Sequence, residues 1–279
     1  MMTTEKEIKQ QVREFYDQVG WKMVADGVYQ NARYEDLRPV AREYITGCHQ
    51  RVARHISAAG HLLLDAGSGP IQYPEYLEYS RGYRRRVCAD ISITALQEAR
   101  KRAGEHGLYV VADIAKLPFK AESFDGVVSL HTIHHLPQED HIPAYRDVYR
   151  VLAAGRTAAL VNGWNNPPLV RLMEAPILLR RRLSKLRHGQ AEESSQAGTE
   201  PKGTFVRKYN AAWLHGELKK YMAVEILVWR SVSVKALRFY IKERWGGRGL
   251  LRILFWLEER LPRFLGKYGQ YPLIVIHKP

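Results

Sequence analysis

The stretch Leu62-Leu63-Leu64-Asp65-Ala66-Gly67-Ser68-Gly69-Pro70 constrains this chain more than any other. An uninterrupted apolar run is what a strand covered on both faces of a parallel sheet requires. It ends in an acid and two glycines one residue apart, and glycine lets the backbone after the strand approach a ligand closely. Two more strand patterns follow, Arg86-Val87-Cys88-Ala89 before Asp90 and Leu108-Tyr109-Val110-Val111-Ala112 before Asp113. Three successive strands thus finish on acids. In an open parallel sheet, ligands bind beyond the carboxyl ends of the strands, so Asp65, Asp90, Asp113 and the glycine turn are expected to line one crevice. A carboxylate in that crevice can accept both ribose hydroxyls, and a second one an adenine amino group. Asp90 suits the ribose and Asp113 the adenine.

A glycine turn followed about 20 residues later by an acid also marks nicotinamide dinucleotide sites. That fingerprint wants a third glycine. Here Pro70, Ile71 and Gln72 follow Gly69, so the helix that would offer its amino end to a pyrophosphate starts late. A nucleoside cofactor without phosphates fits better.

From Gly60 to Val161 the chain resembles the class I S-adenosylmethionine-dependent methyltransferases, in the small-molecule branch called type 11 or ubiquinone/menaquinone-methylase-like. The likeness runs in order through the glycine turn, Cys88-Ala89-Asp90-Ile91-Ser92, Ala112-Asp113-Ile114 with Leu117-Pro118-Phe119, Ser123-Phe124-Asp125-Gly126-Val127-Val128, and Tyr149-Arg150-Val151-Leu152-Ala153-Ala154-Gly155. The resemblance implies an α/β Rossmann-like, doubly wound sheet of seven strands, the last antiparallel, with helical lid insertions. It implies S-adenosyl-L-methionine as cofactor, held at Asp65, Ala66, Gly67, Ser68, Gly69, Asp90, Ile91, Asp113 and Ile114. By the same likeness His131 sits at the methionine or sulfonium end. Tyr16, an aromatic on the first helix, closes over the cofactor, and Tyr34 is the second such candidate.

The rhythm of the chain agrees with a doubly wound fold. Residues 4–19 carry Ile8, Val12, Phe15 and Tyr16 at helical spacing, and a second helix is expected from Leu37 to about Ala58. Strands are expected at 61–65, 86–89, 108–112, 124–130, 157–163, 222–232 and 271–276, with helices from Pro74, at 93–104 and at 139–152. Four regions result: a helical lid over 1–58, the cofactor-binding core over 59–163, a basic helical insertion and mobile loop over 164–210, and a completion of the core over 211–279. The last of these includes a helical insertion near 234–266.

Methyl transfer is an in-line displacement, so a nucleophile must be placed about 3 Å from the methyl carbon and, where needed, lose a proton. The fourth strand of the core delivers Ser129-Leu130-His131-Thr132-Ile133-His134-His135 to the cofactor edge. Histidine changes charge near neutral pH, which makes His131, His134 and His135 the candidate catalytic residues. A metal site is not expected there, because adjacent His134 and His135 on an extended loop point apart. Asn166-Pro167-Pro168 resembles the tetrapeptide that orients planar nitrogens in amino-group methyltransferases, but it follows the fifth strand and lacks the aromatic after it. It reads as a strand terminator.

The chain of 279 residues carries 43 Lys and Arg against 29 Asp and Glu, a formal charge of +14, which favours an anionic substrate, an anionic surface or nucleic acid. Arg180, Arg181, Arg182, Lys185, Arg187 and His188 form a dense block that reads as a solvated helix face before a polar loop, 189–203. Two cysteines give no disulfide framework, and the amino terminus shows no signal pattern, so a cytoplasmic setting is expected. The apolar segment Leu250–Leu257 is expected to be buried in the lid, and aromatic Tyr16, Tyr29, Tyr34, Trp164, Tyr209 and Trp213 to line a pocket there. The favoured reading is methyl transfer to a small-molecule or lipid-like acceptor, one that can be anionic, with peripheral membrane contact compatible and nucleic acid not expected. The alternative is an RNA or protein methyltransferase, or a cofactor-binding scaffold, using the basic block on a polyanion. Oligomeric state and the methylated atom stay open.

Overall fold

The computed structural model describes residues 4–25, 28–31, 35–188 and 204–279. Tyr34 and the loop expected at 189–203 lie outside the described residues. The chain opens with helix α1 (Glu5–Phe15), started by a Thr4/Glu7 capping box. A π-turn over Tyr16–Gly20 and a hairpin of β1 (Met23–Ala25) and β2 (Val28–Tyr29) follow, then α2 (Arg42–Arg51). The hairpin escaped the sequence pattern because two strands this short carry no alternation. The helix expected from Leu37 starts only at Arg42, past Pro39, which disfavours helical backbone in the residue before it.

The core then alternates: β3 (Gly60–Ala66), β4 (Tyr83–Asp90), α3 (Ile93–Ala103), β5 (Gly107–Val111), β6 (Gly126–Leu130), α4 (His141–Val151) and β7 (Thr157–Val161). The helix expected from Pro74 is a 3-10 turn over Pro74–Ser80. Pro168 opens α5 (Pro168–His188), as a proline at the first helical position can. The chain ends with α6 (Ala211–Leu218), β8 (Ala223–Arg230), α7 (Val234–Tyr240), α8 (Gly247–Arg260), α9 (Pro262–Tyr268) and β9 (Tyr271–His277). The helical insertion expected near 234–266 is three helices, α7 ending at extended Ile241, α8 starting after Gly246 in left-handed backbone, and α9 starting at Pro262.

Seven strands form one sheet in the order β5-β4-β3-β6-β7-β9-β8, with β9 antiparallel to both neighbours. This is the Rossmann-like seven-stranded order expected from the sequence. Successive residues alternate between two apolar cores, Leu63, Val128 and Val275 on one face and Leu64, Val127 and Ile274 on the other. The topology lays out one edge residue by residue. Asp113 follows β5, Asp90 ends β4, Gly67 follows β3 and His131 follows β6. Gly163 lies past β7, Tyr271 starts the antiparallel β9, and Arg230 ends β8.

Two expectations fail. Leu250, Ile253 and Trp256 of α8 are exposed, because the buried side of that helix runs through Gly247, Leu251 and Glu258 instead. Of the six aromatic residues assigned to the pocket, only Tyr16 lines it among those described. Trp164 is a core residue donating to the Gly266 carbonyl at 2.7 Å, Tyr209 and Trp213 stack on each other, and Tyr29 packs against Trp21. Among the described residues, no helix is long and apolar enough to cross a membrane.

A buried charge network fastens α8 to the sheet. The Glu258 carboxylate accepts from Arg51 Nη1 at 2.7 Å, Tyr44 Oη at 2.8 Å, and the Ser231 amide and hydroxyl at 2.8 and 2.6 Å. Arg51 Nε keeps its ion pair with Glu259 at 2.7 Å, but Tyr44 and Ser231 would lose their buried acceptor, so Glu258→Ala is expected to cost about 1–3 kcal/mol. Urea denaturation monitored by far-UV circular dichroism checks this value.

Candidate functional site

The glycine turn is shaped by what lies beneath it. Gly67 has φ +75° and Gly69 φ +54°, in the region where side chains are strained. A Cβ on Gly67 would sit 2.2 Å from Thr132 Cγ2, while Thr132 Oγ1 donates to the Gly67 carbonyl at 3.1 Å. The Gly67 and Ser68 amides donate to the Ala89 carbonyl, and the Gly69 amide donates to Asp90 Oδ2 at 2.8 Å. The turn is thereby bound to the ends of both neighbouring strands, β4 and β6.

Asp90 accepts one backbone N–H on each oxygen, from Gly69 and, at 2.9 Å, from Ser92. Enclosure pushes its pKa up to about 6, only partly opposed by those two amides. Among the described residues no cation pairs with it, and each oxygen keeps a lone pair for a hydroxyl donor. Asp113 accepts from the Ala115 amide at 2.9 Å and from Lys9 Nζ at 2.7 Å. Asp65 is turned away from a ligand role of its own: its carboxylate pairs with Arg86, whose Nε donates at 3.2 Å. Buried charges persist when paired in this way.

Helix α1 and the π-turn close this edge from above. Burial opposes the Lys9 charge, but its contacts to Asp113, Asp140 at 2.6 Å and Glu5 at 2.8 Å hold its pKa above the ordinary lysine value. Ser92 Oγ donates to Asp17, and Tyr16 stacks on Trp21 with ring centres 5.0 Å apart, Trp21 lying over Gly69.

The histidine segment is a tight turn over Ile133–His135, and the rings of His134 and His135 lie side by side, centroids 4.3 Å apart, rather than pointing apart. Burial first, and the Lys208 charge next, pushes His131 down to about 3; burial pushes His135 down to about 4 and His134 well below the ordinary range. All three rings are neutral at physiological pH. His135 Nδ1 lies 2.8 Å from the Phe205 carbonyl, which can only accept, so Nδ1 carries the proton and Nε2 accepts from Tyr16 Oη at 2.8 Å. Both His135 nitrogens are therefore committed, which removes it from the candidate bases. His134 Nδ1 is paired at 3.2 Å with Asn162 Oδ1, and Asn162 Nδ2 donates to Tyr145 Oη at 2.9 Å. That chain leaves Nε2 of His134 as an oriented acceptor.

A cavity of about 330 Å³ runs the length of this edge. Tyr16, Asp65, Gly67, Ser68, Gly69, Asp90, Ile91, Asp113, Ile114, His131, His134 and His135 all line it; Ala66 does not, its side chain being fully buried in the sheet core. The far end adds Lys208, Arg230 and Tyr271, which sequence reasoning missed. Lys208 lies over Gly163, where a Cβ would come 3.0 Å from its Nζ. Burial alone lowers its pKa, with no carboxylate among the described residues to restore it. Arg230 is ion-paired to Glu35. Neither residue lies in a motif, and both lie far along the chain from the histidines, so no local signal marks them. Among the described residues, no cluster of three or more metal-ligating side chains is present.

Residues 64–160 match the family described as "Methyltransferase domain". The chain is 26% identical over 163 residues to "Methyltransferase GfsG" of Streptomyces halstedii, covering 54% of this chain and 57% of that protein, so it spans little more than half the length of this curated relative. Its fold is similar to phosphoethanolamine N-methyltransferase 1 of Haemonchus contortus, with a TM-score of 0.60 at 12% identity over 99% of this chain and 50% of that one. It is also similar to geranyl diphosphate C-methyltransferase of Streptomyces coelicolor A3(2), with a TM-score of 0.55 at 12% identity over 98% of each. The sheet order, the glycine turn and the family match define a class I S-adenosylmethionine-dependent methyltransferase domain. The cofactor of that class, S-adenosylmethionine, fits the cavity: Asp90 is an enclosed carboxylate with two acceptor positions open and no cation beside it.

An NMR titration of the Asp90 carboxyl carbon in the ligand-free protein is expected to show a midpoint near 6. Because this folded-state value lies above the ordinary aspartate value of 3.8, the contribution of Asp90 to stability is fully present below 3.8 and lost as pH rises through about 6.

Proposed function

We propose that the protein transfers a methyl group from S-adenosylmethionine to a compact acceptor with an apolar body and an anionic group. The observation that carries this reading is the single cavity, which joins the uncompensated Asp90 carboxylate at one end to the uncompensated Lys208 ammonium at the other. Asp90 would take the ribose hydroxyls, and Asp113, with Ile91 and Ile114 beside it, the adenine. Gly67, Ser68 and Gly69 would pass beneath the cofactor, and His131 would lie towards its methionine end. When bound, S-adenosylmethionine supplies an electrophilic methyl group on a sulfonium.

The chain's own residues then bind and orient. Tyr16, held by His135, and Trp21 would shield the edge from water, with Lys9 fastening α1 to the adenine end. His134 Nε2 would accept a hydrogen bond from the acceptor. Its depressed basicity makes it a poor sink for a full proton at neutral pH, so it orients the nucleophile and leaves deprotonation to acceptors that are already acidic. Lys208 would hold the anionic group. A cavity partly roofed by α1 favours such a molecule over a polymer. Both fold neighbours above were solved with organic phosphates, phosphoethanolamine and geranyl diphosphate, which supports the same class.

Calorimetry with S-adenosylhomocysteine tests the cofactor half. Binding is expected, Asp90→Ala is expected to weaken it by roughly 1.5–3 kcal/mol through loss of a charge-assisted contact, and absence of heat with the wild-type protein would end the reading. Saturating ligand is also expected to move the Asp90 midpoint down, since hydroxyl donors stabilise the ionised carboxylate. For the acceptor half, hexyl phosphate is expected to bind the S-adenosylhomocysteine complex and hexylamine is not. Lys208→Gln is expected to weaken hexyl phosphate about tenfold, the scale of one charge-assisted contact, without altering S-adenosylhomocysteine affinity.

A further inference from the structure

Among the described residues, twelve of the nineteen exposed large apolar side chains fall in two spans, 172–183 and 240–264, so the apolar exposure is concentrated rather than scattered. On α5, Leu172 is 73% exposed and Leu179 59%, and Leu183 continues the same side at helical spacing. On α8, Leu250, Ile253 and Leu257 form a second stripe, with Ile253 58% and the adjoining Trp256 54% exposed. Helix α9, where Phe264 is 52% exposed, touches both α5 and α8, so the three helices form one connected layer.

The rim of that layer is cationic. Arg180 and Arg182 flank the α5 stripe and are exposed. Arg244 lies over Trp245 at 4.8 Å and Arg260 over Trp256 at 5.5 Å, placing guanidinium groups beside amphipathic rings. Apolar stripes bounded by arginine and tryptophan suit the boundary between lipid head groups and acyl chains. A second copy of the chain is a poor occupant, because pairing the two layers sets cation against cation. An anionic bilayer supplies both the apolar depth and the opposite charge.

We infer that α5, α8 and α9 dock this protein on an anionic membrane surface, with Leu172, Leu179, Ile253, Trp256 and Phe264 entering the head-group boundary and the arginines pairing with phosphates. This goes beyond methyl transfer and does not rest on it.

Flotation of the full chain with vesicles tests the inference. Binding is expected to vesicles of phosphatidylcholine containing phosphatidylglycerol, to be absent with phosphatidylcholine alone, and to weaken with added salt as screening predicts. Tryptophan emission is expected to shift to shorter wavelength on binding. Ile253→Glu and Phe264→Glu are each expected to reduce the partition coefficient about tenfold, since each replaces buried apolar area by a charge. Circular dichroism and S-adenosylhomocysteine affinity of these exposed-site variants are expected to stay as in the wild type. No flotation with anionic vesicles, flotation untouched by both variants, or a solution dimer that Ile253→Glu dissociates would overturn it. Because cofactor affinity is read separately, these outcomes are distinct from failure of the methyl-transfer reading.

Discussion

The backbone between Gly67 and Gly69 is held from two sides at once. Thr132 grips the Gly67 carbonyl from the β6 end, and Asp90 receives the Gly69 amide from the β4 end. A single methyl group at Gly67 would collide with Thr132 at 2.2 Å. Everything on the cofactor edge depends on this close approach, because it orients the Asp90 oxygens, sets where His131 leaves β6, and brings Trp21 down onto Gly69. A substitution here would move three strand ends rather than one side chain.

Charge is distributed along the cavity with the same economy of partners. Acids that serve the architecture are paired: Asp65 with Arg86, Glu35 with Arg230, Glu258 with Arg51. Asp113 is shared with Lys9 of the covering helix. Asp90 and Lys208 are the exceptions, each lacking an opposite charge among the described residues, and each sits where the proposed ligand would supply one or its hydrogen-bonding equivalent. Enclosed groups left without a charged partner are costly to a folded chain, which is why they mark the two ends of the proposed site. Between them the three histidines stay neutral, since burial in the company of Lys208 penalises an imidazolium.

Much of the cofactor edge was legible in the sequence. A run such as Leu62–Leu64 ended by an acid and glycines fixes a local conformation, and Asp90 and Asp113 follow their strands at once, so periodicity and order suffice to place them. The histidine turn was located correctly but its geometry was not. Pointing directions depend on whether residues 133–135 extend or coil, and that is settled by Asn162 and the Phe205 carbonyl, far away along the chain. The reading of Leu250–Leu257 as buried failed for a related cause. Hydrophobicity says that a helix has apolar faces, whereas which face meets the core was decided by Gly247, Leu251 and the Glu258 network.

The sequence by itself determined the strand succession, the turn without Cβ atoms, and the acids at consecutive strand ends, because each arises from neighbours within a few residues. Only the tertiary structure decided that Lys208, Arg230 and Tyr271 share a cavity with Asp90, that His135 is tied to Tyr16, and that leucines of α5 and α8 stay exposed. Those pairings join positions scores of residues apart. Their proximity follows from the order of strands in the sheet and the packing of helices against it, which no local pattern encodes.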